Sequence, residues 1–124
     1  PGGLVPSDVM DEWLSSVWEG REGHCAGEDE EAMVGQVSGE FGGVYGEITP
    51  EGFRHVGRWM GLCESDTFID MGSGVGRTVV QAWLEFGVRR SLGVELAPSR
   101  HARATRALGD VAQRHQAILL PERE

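Results

Sequence analysis

The residues Asp70-Met-Gly-Ser-Gly-Val-Gly76 combine what a small-ligand cradle needs, bare backbone and a carboxylate. Glycine has no Cβ, so a ligand can press against the main chain at the positive end of the following helix. Two ligand classes use such a turn. A dinucleotide loop reads G-x-G-x-x-G, with its third glycine three positions after the second. Here Gly76 follows Gly74 by two, and Arg77 occupies the place that pattern reserves. Asp70, just before the loop, repels a pyrophosphate and suits a cationic group. Glu95 ends the next apolar run, 19 residues after Gly76, where a carboxylate can accept both hydroxyls of a ribose. Acids on either side of a triple-glycine bend favour S-adenosylmethionine over NAD, because the former carries an ammonium and a sulfonium and no phosphate. The plainer readings are a strand-end charge for Glu95 and a cap on the loop's own amides for Asp70.

These residues need a strand, a turn and a helix to hold them. Thr67-Phe-Ile-Asp-Met71 is a short apolar run suited to a buried parallel strand. A helical pattern follows the loop through Val79, Val80, Trp83, Leu84 and Phe86 to the breaker Gly87. Arg89–Glu95 reads as a second strand, and Ala97-Pro98 opens a helix to about Gln116. Ala117–Pro121 is expected to start a third strand. Strand, loop, helix, strand, helix is a doubly wound α/β unit. Arg100, Arg103, Arg106 and Arg114 form a basic surface on the last helix, read as solvated and paired with acidic segments.

Upstream, Asp8–Glu19 carries Val9, Met10, Trp13, Leu14, Val17 and Trp18 in one wide stripe, a core-packing helix capped by Ser7 and ended by Gly20. From Gly20 to Gly43 the periodicity dissolves, and Glu28-Asp-Glu-Glu31 reads as a solvated face or mobile loop. Thr49-Pro-Glu51 is a helix start: a capping hydroxyl, a proline at the first position, then an acid. Phe53, Val56, Gly57 and Met60 give that helix its inward stripe, closed by Gly61 or the Glu64-Ser-Asp66 cluster. Tyr45, among Gly42, Gly43 and Gly46, suits a lid over a ligand. Trp13, Trp18, Trp59 and Trp83 are read as core, and His24, His55, His101 and His115 as surface or cap histidines.

Composition narrows the setting. The 124 residues hold 20 acidic and 11 basic side chains, a net charge of −9, and every basic residue is Arg. That size fits one small domain. Such acidity argues against this segment gripping nucleic acid, though it would attract a basic protein. No apolar run is long enough to span a membrane. Cys25 and Cys63 are far apart and form no ligand spacing, so neither a zinc site nor an oxidising compartment is expected. The chain starts at Pro1 with no leader pattern, as expected of a processed product or a piece of something longer.

Asp70–Gly76, followed by Val80-Gln81 and Gly93-Val-Glu95 and preceded by Val44-Tyr-Gly-Glu47 with Thr49, resembles the disruptor-of-telomeric-silencing family, the non-SET methyltransferases that modify a lysine in the folded core of histone H3. The resemblance covers roughly residues 41–105. It implies a Rossmann-like class I S-adenosylmethionine-dependent methyltransferase fold, present here as N-terminal helices plus the first βαβα unit. Residues 1–43 would be a helical and loop segment, and 44–124 the N-terminal half of the methyltransferase domain. By analogy Tyr45, Gly46, Glu47 and Thr49 close over the methionine end of the cofactor, with Tyr45 nearest the chemistry. Phe68, Asp70, Gly72, Ser73, Gly74, Val75 and Gly76 cradle it, and Glu95 holds the ribose. The family usually has glutamine where Arg77 stands, and Ile48 is inserted between the glutamate and the threonine. Its later asparagine-rich strand and basic nucleosome-binding flank have no counterpart here.

The resemblance further implies nuclear localisation, histone H3 or the nucleosome as partner, and in-line methyl transfer to a neutral lysine amine. That reaction depends on positioning and desolvation and needs no metal or nucleophilic residue. An inactive isolated fragment is the expectation. Alternatives are a methyltransferase of the same fold acting on a non-histone lysine, a non-catalytic S-adenosylmethionine-binding module and, disfavoured by the glycine spacing, an NAD-binding module.

Overall fold

Thr49 shows how the sequence sets an element in place. In the computed structural model its Oγ1 accepts the Gly52 amide at 3.1 Å, Pro50 opens the helix, and Gly61 closes it in the left-handed conformation at φ 70°. The structure describes residues 6–23, 26–39 and 45–119. His24, Cys25, Gly42, Gly43, Val44 and residues 120–124 lie outside these, as does the His115 side chain. The elements are α1 (Ser7–Trp18), α2 (Glu28–Ser38), α3 (Pro50–Met60), β1 (Thr67–Met71), α4 (Arg77–Phe86), β2 (Arg90–Val94) and α5 (Pro98–Leu119).

The expected strand–helix–strand–helix order is present. β1 and β2 pair in parallel, with Thr67 opposite Arg90 and Met71 opposite Val94. Two apolar clusters hold the elements together. In one, Met10, Leu14, Val17 and Trp18 of α1 meet Val75, Val80, Ala107 and Val111. In the other, Phe53 packs with Ala82 and Val88, its ring edge-on to Phe68 at 5.4 Å and to Phe86 at 6.0 Å.

Several expectations are corrected. The Gly20–Gly43 stretch contains α2, and the acidic block Glu28–Glu31 is its first turn. Four carboxylates there complement the positive end of the helix dipole, a signal that outweighs the weak apolar periodicity. Pro6, not Ser7, sits at the N-cap of α1, and Ser7 is already helical. The segment expected to start a third strand is helical through Leu119. The inward face of α3 is Phe53, Arg54 and Gly57, while Val56 and Met60 are exposed. A Cβ on Gly57 would lie 2.4 Å from the Phe86 ring, so only glycine admits that close approach. Trp59 is 87% exposed and Trp83 partly so, which leaves Trp18 as the buried tryptophan among the described residues. β1 is less buried than expected. Ile69, Met71, Leu92 and Val94 share one sheet face that no described element covers, and all four are exposed. None of the described helices is long and apolar enough to cross a membrane.

Candidate functional site

The glycine loop is built from backbone conformations that side chains resist. Gly72, Gly74 and Gly76 have φ of 91°, 56° and 85°, all left-handed, which explains glycine at every second position. The amides of Gly72 and Ser73 both bond the Val94 carbonyl, at 2.8 and 3.0 Å, tying the loop to the end of β2. Gly76 is the N-cap of α4, and its missing Cβ leaves room for Ala104 of α5, 3.3 Å from where that Cβ would lie.

Two carboxylates hold the loop differently from expectation. Glu95, not Asp70, caps loop amides: its Oε2 accepts Gly74 N–H and its Oε1 accepts Ala97 N–H, each at 2.7 Å. Asp70 accepts the Thr78 hydroxyl from the first turn of α4. From beneath, the Trp18 indole N–H donates to the Val75 carbonyl at 2.8 Å. That buttress was not foreseen, because an apolar stripe announces a buried tryptophan without saying which carbonyl it finds.

A cavity of about 360 Å³ opens above the loop, within the range of small-molecule sites. The structure gathers Tyr45, Gly46, Glu47, Phe68, Asp70, Gly72, Ser73, Gly74 and Val75 around it. Thr49, Gly76 and Glu95 do not line it; they fix the elements that do. Ile48, Phe53, Arg77 and Thr78 line it without having been foreseen in that role. Ile48 contributes an apolar wall. Arg77 Nε lies 2.9 Å from Glu47 Oε2, and its guanidinium stands 5.5 Å over the Trp18 ring.

Tyr45 forms part of the cavity wall. Its hydroxyl donates to Glu47 Oε1 at 2.6 Å. A Cβ on Gly74 would lie 2.8 Å from the hydroxyl oxygen, so the ring rests on the glycine loop. Burial raises the Tyr45 pKa well above its ordinary value, reinforced by the Glu47 hydrogen bond and charge, while a Val75 backbone bond and the Arg100 charge oppose the shift. Arg100, expected on a solvated surface, is buried instead. It donates from Nε to the Gly23 carbonyl at 2.9 Å, and its Cζ stands 4.3 Å from the centroid of the Tyr45 ring. His55 is exposed and 3.9 Å from Glu51, and His101 is exposed, as expected of surface histidines.

The architecture is an α/β unit with a cavity beside the strand–turn–helix of the glycine loop, lined by Asp70 and Glu47 and by one cation, Arg77, which pairs with Glu47. Comparison with protein families makes it specific. The family described as "Histone methylation protein DOT1" matches residues 39–117, and the chain belongs to that family. Curated relatives are named "Histone-lysine N-methyltransferase, H3 lysine-79 specific". The protein from Kluyveromyces lactis is 41% identical over 71 residues, covering 57% of this chain and 12% of the relative. That from Candida glabrata is 49% identical over 53 residues, covering 43% and 8%. That from Drosophila melanogaster is 39% identical over 61 residues, covering 48% and 3%. The matched stretch thus spans about an eighth or less of each of these relatives. No solved structure matches the chain.

Proposed function

We propose that this chain is the S-adenosylmethionine-binding part of a histone-lysine methyltransferase of class I, Rossmann-like fold, acting in the nucleus on a lysine in the folded core of histone H3. One observation carries the ligand class. The Gly74 amide, which a dinucleotide loop would offer to a phosphate, is already bonded to a carboxylate, Glu95. A diphosphate there would face Glu95 beneath the loop and Asp70 and Glu47 in the cavity wall. A ligand bearing an ammonium and a sulfonium meets these charges favourably. Arg77 is the only cation in the described cavity lining and is paired with Glu47.

The residues present therefore fit S-adenosylmethionine, which supplies an electrophilic methyl group when bound. Asp70 and Glu47 would balance its positive groups, and Phe68 and Phe53 would offer apolar contact. A carboxylate has about four acceptor sites, so Glu95 can keep Gly74 and Ala97 and still accept ribose hydroxyls. Tyr45 and Ile48 would exclude water from the methionine end. Dry surroundings favour the neutral, nucleophilic form of a lysine amine by lowering its pKa. The histone reading rests on the family match and its relatives' names. A net charge of −9 agrees with a basic partner, since opposite fields steer association.

Calorimetric titration tests the ligand class. S-adenosylmethionine is expected to bind, Glu95→Ala to weaken it about tenfold or more, through loss of the loop anchor and two charge-assisted bonds, and NADH to leave no heat. Binding of NADH without S-adenosylmethionine overturns the proposal. Methyl transfer tests the substrate: label on H3 in nucleosomes is expected from a longer protein carrying this chain, and label confined to non-histone lysines would replace the histone reading.

A further inference from the structure

We infer that Arg100 is a positioning residue for the cofactor lid, acting through the Tyr45 ring, so that one turn at the start of α5 sets both ends of the ligand cradle. The inference rests on the proposed donor site and adds to it a residue that touches no ligand. A buried guanidinium is costly unless partnered, and Arg100 is only 6% exposed. Its Nε is spent on the Gly23 carbonyl at 2.9 Å, and its Cζ lies 4.3 Å from the centroid of the Tyr45 ring. Gly23 is shaped for the same ring, since a Cβ there would fall 1.9 Å from the Tyr45 hydroxyl oxygen. On the other side, a Cβ on Gly74 would fall 2.8 Å from that oxygen. The ring sits in a slot between two glycines with a cation over its face.

The base of that slot is fixed from two directions. Glu30 of α2 accepts the Ser99 amide at 2.9 Å and also its hydroxyl, which anchors the first turn of α5. Glu95, five residues before Arg100, is locked to the same turn through Ala97 N–H at 2.7 Å and to the glycine loop through Gly74 N–H. The carboxylate at the ribose end and the cation that holds the lid therefore move as one body. This also gives the acidic start of α2 a task beyond its own helix.

Tyr45 is the only tyrosine in the chain, so a tyrosine-ring-labelled sample reports its NMR signals alone. In the ligand-free chain, Arg100→Met should shift the ring signals toward those of free tyrosine and abolish the ring-to-Gly23 Overhauser contact. The Trp18 indole N–H signal, held by Val75, should stay in place and show that the fold is intact. S-adenosylmethionine affinity should fall about tenfold, the size of a partly desolvated cation–π contact. Arg100→Lys should restore part of it, because the charge remains and the planar stack does not. In a Tyr45→Ala background the same Arg100→Met change should alter affinity less than twofold, whereas a purely structural role would give equal losses in both backgrounds. Unchanged ring signals, or equal losses, overturn the inference. Should Arg100→Met fail to fold, Arg100→Lys carries the same comparison. Ring signals that respond in a chain that binds no S-adenosylmethionine would sink the donor site and leave the Arg100–Tyr45 coupling standing.

Discussion

Two residues of the loop region carry consequences that can be measured singly. Gly74 combines φ 56° with the Tyr45 hydroxyl, which would stand 2.8 Å from an added Cβ. Gly74→Ala should therefore cost about 1–2 kcal/mol in a urea melt and weaken S-adenosylmethionine binding. The contrasting control is Gly35→Ala in α2, where no atom beyond the local helix backbone lies within 4 Å of the new Cβ; it should stabilise by about 0.5–1 kcal/mol. Tyr45 predicts a pH dependence. Its folded pKa is raised above the ordinary 10.0, mainly by burial. The neutral phenol is thus the form the fold favours, so this contribution is intact below pH 10 and declines as pH rises above it. Thermal melts should lose stability on that alkaline side, and Tyr45→Phe should remove this component. At this scale the sequence spoke clearly about glycine, because three left-handed positions leave little other choice. It was silent on Glu95 rather than Asp70 capping the loop amides, since strand ends and loop amides meet only after the strands pair.

Among the elements, α1, α3 and α4 are joined by one polar knot. Arg54 of α3 is buried and bonds Glu85 of α4 and, at 2.5 Å, Asp11 of α1; Gln81 bridges Glu85 at 2.7 Å and the Pro50 carbonyl at 2.8 Å. Both acids drive the arginine pKa upward, Asp11 the more strongly. Arg54→Met leaves Glu85 facing a dry interface with Asp11 half-exposed beside it. The expected loss is about 2–3 kcal/mol, read as a lower urea midpoint at unchanged slope. The start of α3 was legible from Thr49-Pro-Glu51 because capping is local chemistry. Its inward face was not, because an arginine turns inward only when acids from two other helices wait for it. α2 was missed for a related reason: its apolar stripe is weak, and an acidic first turn reads equally well as a solvated run until a helix dipole is placed beneath it.

For the whole molecule, apolar residues divide between a packed side and an open one. Leu14 and Val111 are buried where α1 meets α5, whereas Met71 is 75% exposed on the uncovered sheet face with Ile69, Leu92 and Val94. Leu14→Ala should cost about 2–5 kcal/mol, while Met71→Ser should stay within about 0.5 kcal/mol. Equilibrium urea unfolding of both variants measures the difference. α1 belongs to the same core as the glycine loop, since Met10, Leu14, Val17 and Trp18 pack against Val75 and Val80. Loss of α1 packing would thus reach the glycine loop through the Trp18–Val75 bond.

The sequence by itself determined the β1–α4–β2–α5 order, the triple-glycine bend and its acidic flanks. These follow from periodicity, capping and the stereochemistry of single residues, all of which act within a few positions of the chain. Only the tertiary structure decided that Arg100 lies buried against Tyr45, that Trp18 supports the loop and that Glu95 occupies its amides. The residues in those contacts are 55, 57 and 21 positions apart, so packing alone brings them together.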